Sequence, residues 1–223
     1  MKKINFLAKK NINILSCFDA TQAKIAESLK YDAILVGDSL SIFSLGHQNI
    51  NKINVNDIIY HLKSVCAASK LPVIADLPKT SMTNNAVAIS HAKKLIKAGA
   101  SMIKIEGHSK IRTLISSLVK LQIPVCSHIG LTPQNTIKIT EQEIFDSALL
   151  HEKVGCSMIV LSKINDKLCK KITSAISIPS IGYVNFKNCD GQVEIFYKML
   201  GLAKGEELKI EINRKIKNFK NLK

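Results

Sequence analysis

At 223 residues, with 46% hydrophobic content and a mean hydropathy of +0.12, the chain can bury one sizeable core and is too apolar to be disordered. No run reaches the roughly 18 apolar residues of a membrane span, and Lys9 and Lys10 break the N-terminal apolar patch, leaving it too short for a secretory segment; a cytoplasmic protein with no membrane partner is expected. The formal charge is +15, yet only Arg112 and Arg214 are arginine and the lysines are spread throughout, so the excess points to A/T-rich coding rather than to a nucleic-acid partner, which would favour guanidinium forks.

In chain order, residues 13–18 form a strand candidate followed by a helix over 21–30, and the apolar run at 33–38 a second strand. A helix over 55–69 carries Ile58, Ile59, Leu62, Val65 and Cys66 at helical spacing. Strand 72–77, helix 84–98, strand 101–106, helix 111–121 and strand 124–129 follow. Then come helix 141–153, strand 157–161, helix 166–176 and strand 179–181. An eighth strand is hard to see, and 198–202 is its best candidate. Short Val/Ile-rich runs alternating with helices predict parallel strands with right-handed crossovers. This many units in one domain favour a (β/α)8 TIM barrel with a degenerate C-terminal unit. The expected domain is a single barrel over 1–223, with a lysine-rich helix from about 205. The cysteines at 17, 66, 126, 156, 169 and 189 form no Cys-x-x-Cys pair, so they are expected to be reduced core residues.

A barrel keeps its chemistry at the carboxyl ends of its strands. Those ends carry Asp19, Asp38-Ser39, Asp76, Lys104-x-Glu106, His128 and Ser162. Asp19 stands just before Thr21, where a helix N-cap explains it; His128 or Asp76 alone would pass for a bonded core histidine and a loop cap. Together, Asp38, Asp76 and Glu106 need a cation to stay ionised side by side, and three carboxylates suit a hard divalent metal such as Mg2+. Lys104 and Glu106, two apart, project to one side of their strand. Lys104 supplies positive charge for an anionic substrate. A metal there can chelate a 2-oxo acid and stabilise its enolate, chemistry that also requires a base.

The strings LVGDSL (35–40), GH (46–47), IADLP (74–78), KAGASMIKIEG (97–107), IPVCSHIGLTPQ (123–134), KIT…IP (171–179) and DGQ (190–192) resemble the ketopantoate hydroxymethyltransferase family. The resemblance runs in order over most of the chain. It implies a Mg2+-dependent, homo-oligomeric (β/α)8 barrel that adds a hydroxymethyl group from 5,10-methylenetetrahydrofolate to 3-methyl-2-oxobutanoate in pantothenate synthesis. It implies metal-binding Asp38, Asp76 and Glu106, oxo-acid-binding Asp38, Ser39, Asp76 and Lys104, and an active-site His128.

The departures lie on the later strands. Where the family's sixth strand ends in a proton-accepting glutamate, Ser162 stands here, and a hydroxyl lacks basicity without an activating partner; none is evident beside it in sequence. A family Gly-rich loop is missing after Gln134, IGIGAG is replaced by Ile181-Gly182-Tyr183-Val184-Asn185-Phe186, and a phenylalanine after ADLP is Lys79. Two readings stay open: a streamlined working enzyme with the base replaced by His128, Lys104 or a metal-bound hydroxide, or a member that binds Mg2+ and an oxo acid with little or no turnover.

Overall fold

The computed structural model describes residues 2, 4–132, 139–183 and 188–200. Eight parallel strands close into a barrel in chain order: β1 (Ile12–Ser16), β2 (Ala33–Val36), β3 (Val73–Asp76), β4 (Met102–Glu106), β5 (Val125–Gly130), β6 (Met158–Ser162), β7 (Ser180–Tyr183) and β8 (Gly191–Ile195). The helices are α1 (Ala20–Ser28), α2 (Leu40–Phe43), α3 (Val55–Ala68), α4 (Asn85–Lys97), α5 (Arg112–Lys120), α6 (Glu141–Lys153), α7 (Asp166–Ala175) and α8 (Phe196–Met199). This is a (β/α)8 barrel, as the alternation of strands and helices predicts.

The strands are near-continuous apolar runs because both faces are covered. Ile14, Leu35, Ile74, Met102, Cys126 and Met158 fill the barrel interior. Their neighbours, such as Val73, Ala75, Ile103 and Ile105, pack outward with the residues of α3, α4 and α5. Side chains of Asp19, Asn54, Asn84, Thr140 and Asn165 accept backbone N–H bonds at the starts of α1, α3, α4, α6 and α7, each contributing on the order of 1 kcal/mol.

The eighth strand lies at Gly191–Ile195, not at residues 198–202; Lys198 and Met199 belong to α8 and Leu200 follows it, while residues beyond 200 lie outside the described set. The strand escaped recognition because it alternates instead of running apolar: Val193 and Ile195 are buried whereas Gln192 is exposed and Glu194 half-buried. The DGQ string closes the barrel. Asp190 Oδ2 accepts from Ser180 N–H at 2.9 Å and Ser180 Oγ–H at 2.8 Å, and Gly191 pairs with both Ile12 and Ile181. The lysine-rich helix expected from about 205 also falls outside the described residues.

All six cysteines are free thiols, four of them buried. Cys169 on α7 and Cys189 ahead of β8 meet sulfur to sulfur at 2.8 Å.

His151 on α6 is fully buried, and its Nε2 lies 3.1 Å from the His108 carbonyl oxygen. Burial pushes its pKa from the usual 6.5 down to about 4. Between those values the unfolded chain binds the proton and the folded one does not, so stability should fall as pH drops from about 6.5 towards 4. The loss reaches about 3 kcal/mol and vanishes above that window. Urea midpoints at pH 7 and pH 5 should therefore converge in His151→Gln relative to the parent; an unaltered pH slope would contradict this assignment.

Candidate active site at the carboxyl ends of the strands

Strand periodicity sends alternate residues inward, and the inward positions change character near the carboxyl ends. Asp76 follows Ile74, Lys104 and Glu106 follow Met102, His128 follows Cys126, and Ser162 follows Met158 and Val160. An apolar plug thus carries a polar layer. Strand register then chooses the neighbours: Asp76 lies beside Lys104, Glu106 beside His128, and Ser162 two residues past Val160, the partner of His128.

Two hydrogen-bonded groups result. In the first, Lys104 Nζ donates to Asp76 Oδ1 at 2.8 Å, and the Asp38 backbone N–H donates to Asp76 Oδ2 at 2.9 Å. Gly37 permits this approach, since a Cβ there would sit 3.1 Å from Asp76 Oδ2. Asp38 and Asp76 are 4% exposed and Lys104 6%. Burial opposes the charge on Lys104, but Asp76, Glu106 and Asp38 together outweigh it and raise its pKa above the ordinary lysine value.

In the second group, Glu106 Oε1 lies 2.9 Å from His128 Nδ1, and His128 Nε2 lies 2.8 Å from Ser162 Oγ. Burial lowers the His128 pKa, the Lys104 ammonium acts in the same direction, and Glu106 opposes both. The imidazole is therefore neutral near pH 7. With Nδ1–H donated to the Glu106 carboxylate, the lone pair sits on Nε2 and accepts the Ser162 hydroxyl proton. Ser162 accordingly has the partner that its sequence surroundings did not reveal.

Asp19 stands apart from this layer: its carboxylate accepts from Gln22 N–H at 2.8 Å and caps α1. Ser39 is half-buried at the start of α2, with no side-chain capping bond. Lys79 is exposed in a short 3-10 turn. Two backbone features were missed. Gly130 takes a φ of +103°, and a Cβ there would fall 2.1 Å from the Ser162 carbonyl oxygen. The Gly130 N–H also donates to His108 Nε2 at 3.4 Å. A glycine closing a strand is the only signal the sequence offered. His108 and Glu106 line a cavity of about 440 Å³ that continues to Glu143 and Leu150 of α6.

Among the described residues, no three His, Cys, Asp or Glu side chains are grouped so as to hold a metal between them. The donor chemistry nevertheless suits a dication. Counted as ionised, the buried Asp38, Asp76 and Glu106 face one ammonium, leaving two negative charges in a site nearly closed to water. Mg2+ needs only one or two carboxylates and completes its shell with water, so Asp38 and Asp76 could hold it, with Glu106 directing Oε1 to His128.

Buried carboxylates, an ammonium and an imidazole gathered at the carboxyl ends of a closed parallel barrel define a (β/α)8-barrel enzyme. The same fold occurs in phosphonopyruvate hydrolase (TM-score 0.74, 12% identity, 100% of this chain and 87% of that one) and in 2,3-dimethylmalate lyase (TM-score 0.71, 13% identity, 96% and 83%). The ketopantoate hydroxymethyltransferase family model matches residues 2–223, and the chain belongs to this family of hydroxymethyl-transferring enzymes. Proteins named 3-methyl-2-oxobutanoate hydroxymethyltransferase are 38% identical over 208 residues in Clostridium acetobutylicum (87% of this chain, 75% of the relative). In Psychrobacter arcticus the figure is 36% over 203 residues (86% and 76%), and in Buchnera aphidicola 34% over 210 (89% and 80%). Among the described residues, no helix is long and apolar enough to cross a membrane.

Proposed function

We propose that the barrel mouth transfers a hydroxymethyl group from 5,10-methylenetetrahydrofolate to 3-methyl-2-oxobutanoate with Mg2+, giving 2-dehydropantoate. The names of the relatives support the substrate. The observation that carries the reading is the buried Asp38–Asp76–Lys104 group, where the Asp76 carboxylate accepts from the Lys104 ammonium and from the Asp38 backbone N–H, and the Asp38 carboxylate adds its charge beside the lysine. Asp38 and Asp76 hold the metal, which when bound supplies Lewis-acid stabilisation of the enolate. Lys104 offers positive charge to the oxo acid's carboxylate, and Ser39 adds a hydroxyl at the same edge. The Asp76 contact pins the lysine, so its charge is aimed before substrate arrives. The His128–Ser162 contact supports turnover over a barrel that only binds, because it sets an imidazole nitrogen against the Ser162 hydroxyl.

Calorimetric titration of 3-methyl-2-oxobutanoate should show binding that requires Mg2+ in the parent protein and is lost in Asp38→Ala. Equal affinity in the variant, or binding indifferent to Mg2+, would overturn the metal assignment.

A further inference from the structure

We infer that Glu106, His128 and Ser162 form a proton relay in which Ser162 Oγ is the group that takes the proton from the carbon beside the oxo acid's carbonyl; this rests on the proposed function and adds the identity of its base. Three observations carry it. The contacts run unbroken, Glu106 Oε1 to His128 Nδ1 at 2.9 Å and His128 Nε2 to Ser162 Oγ at 2.8 Å. All three side chains are buried, Glu106 at 9%, His128 at 4% and Ser162 at 2% exposure, so bulk water does not compete for these bonds. Register places Ser162 two residues past the partner of His128, towards the carboxyl edge, so the hydroxyl stands on the substrate side of the imidazole.

The proton count closes. The substrate C–H proton passes to Ser162 Oγ while the hydroxyl proton passes to His128 Nε2, and the C–H electron pair remains on the substrate as the enolate. The resulting imidazolium is held by the Glu106 carboxylate. Its Nε2–H then donates to Ser162 Oγ, and the proton newly acquired by the serine has a second acceptor in the Leu131 carbonyl, 3.4 Å away. In D2O deuterium reaches carbon once the substrate-derived proton on Ser162 Oγ has exchanged with solvent, and reversal then delivers the exchanged isotope to the enolate.

A serine that merely satisfies a buried histidine would have the same contacts but no part in the rate. The test follows C3 deuterium incorporation into 3-methyl-2-oxobutanoate by NMR with Mg2+ present, alongside calorimetric affinity. Ser162→Ala should slow exchange about 10²–10⁴-fold with its dissociation constant within about threefold of the parent. His128→Gln should do the same, and the double variant should be little worse than either, as expected of groups acting as one unit. Exchange in Ser162→Ala within about threefold of the parent would overturn the relay and leave the proposed function standing. A parent protein that binds the acid but incorporates no deuterium would overturn the relay alone; one that does not bind the acid overturns both. A second measurement needs no substitution: the ¹⁵N spectrum of the parent should show His128 protonated on Nδ1 with a lone pair on Nε2, and the opposite tautomer contradicts the relay.

Discussion

Asp76→Ala should cost about 3 kcal/mol of folding stability, because it removes the carboxylate bonded both to the Lys104 ammonium, 6% exposed, and to the Asp38 backbone N–H. The pair is joined at 2.8 Å with both side chains nearly closed to solvent, so its worth lies less in attraction than in the penalty for breaking it. Replacing both partners by apolar groups removes that penalty. Asp76→Ala combined with Lys104→Met should recover only part of the loss, because Asp38 and Glu106 then face no ammonium, and should leave no activity. Urea denaturation of the metal-free protein at pH 7 checks both statements; a single-variant loss under about 1 kcal/mol, or a double variant no better than the single, would mean that Asp38 and Glu106 hold the lysine without Asp76.

Gly130→Ala is the second substitution with a large effect. The residue has a φ of +103°, and an added Cβ would lie 2.1 Å from the Ser162 carbonyl oxygen, so β5 and β6 must part where they carry the His128–Ser162 contact. Backbone strain and overpacking together should cost about 2–4 kcal/mol. Proton exchange on the oxo acid should fall on the order of 10²-fold even in the folded fraction, the size of effect expected when a catalytic group is displaced by about 1 Å. Gly46→Ala is the control, since Gly46 also has a positive φ, +71°, but nothing lies within 4 Å of its Cβ position. That variant should pay only the conformational cost, about 1 kcal/mol, and keep its activity. Equal losses in the two variants would show that the strand contact at Gly130 is not what matters.

Much of this is legible in the sequence, and the exceptions share a physical origin. The strands at 33–38, 72–77 and 101–106 announced themselves as apolar runs because helices cover their outer face and the plug their inner one. The polar layer was legible because each run stops at a charged or polar residue, and Lys104 and Glu106 declared a common face by being two apart. Asp19 was equally readable as a cap. β8 was hidden because Gln192 and Glu194 interrupt Val193 and Ile195, giving an alternation where the other strands run apolar. The partner of Ser162 was hidden for a different reason. His128 lies 34 residues away in sequence, and only the β5–β6 register sets the two side chains against each other. Local sequence carries which residues face inward; it does not carry which inward residues meet.

Ser162 looked like the loss of a base, and the structure recasts it as the outer member of a carboxylate–imidazole–hydroxyl chain. The Asp38–Asp76–Lys104 group and this chain share the β4 strand, Lys104 belonging to one and Glu106 to the other. Binding and proton transfer should consequently separate by mutation: Asp38→Ala removes the first, Ser162→Ala the second.

The most direct measurement is product formation. Purified protein with Mg2+, 3-methyl-2-oxobutanoate and 5,10-methylenetetrahydrofolate should yield 2-dehydropantoate, followed by mass spectrometry, with none formed when Mg2+ is chelated or when Asp38→Ala replaces the parent. Folded, Mg2+-supplied parent protein that binds the oxo acid and still forms no 2-dehydropantoate would contradict the account.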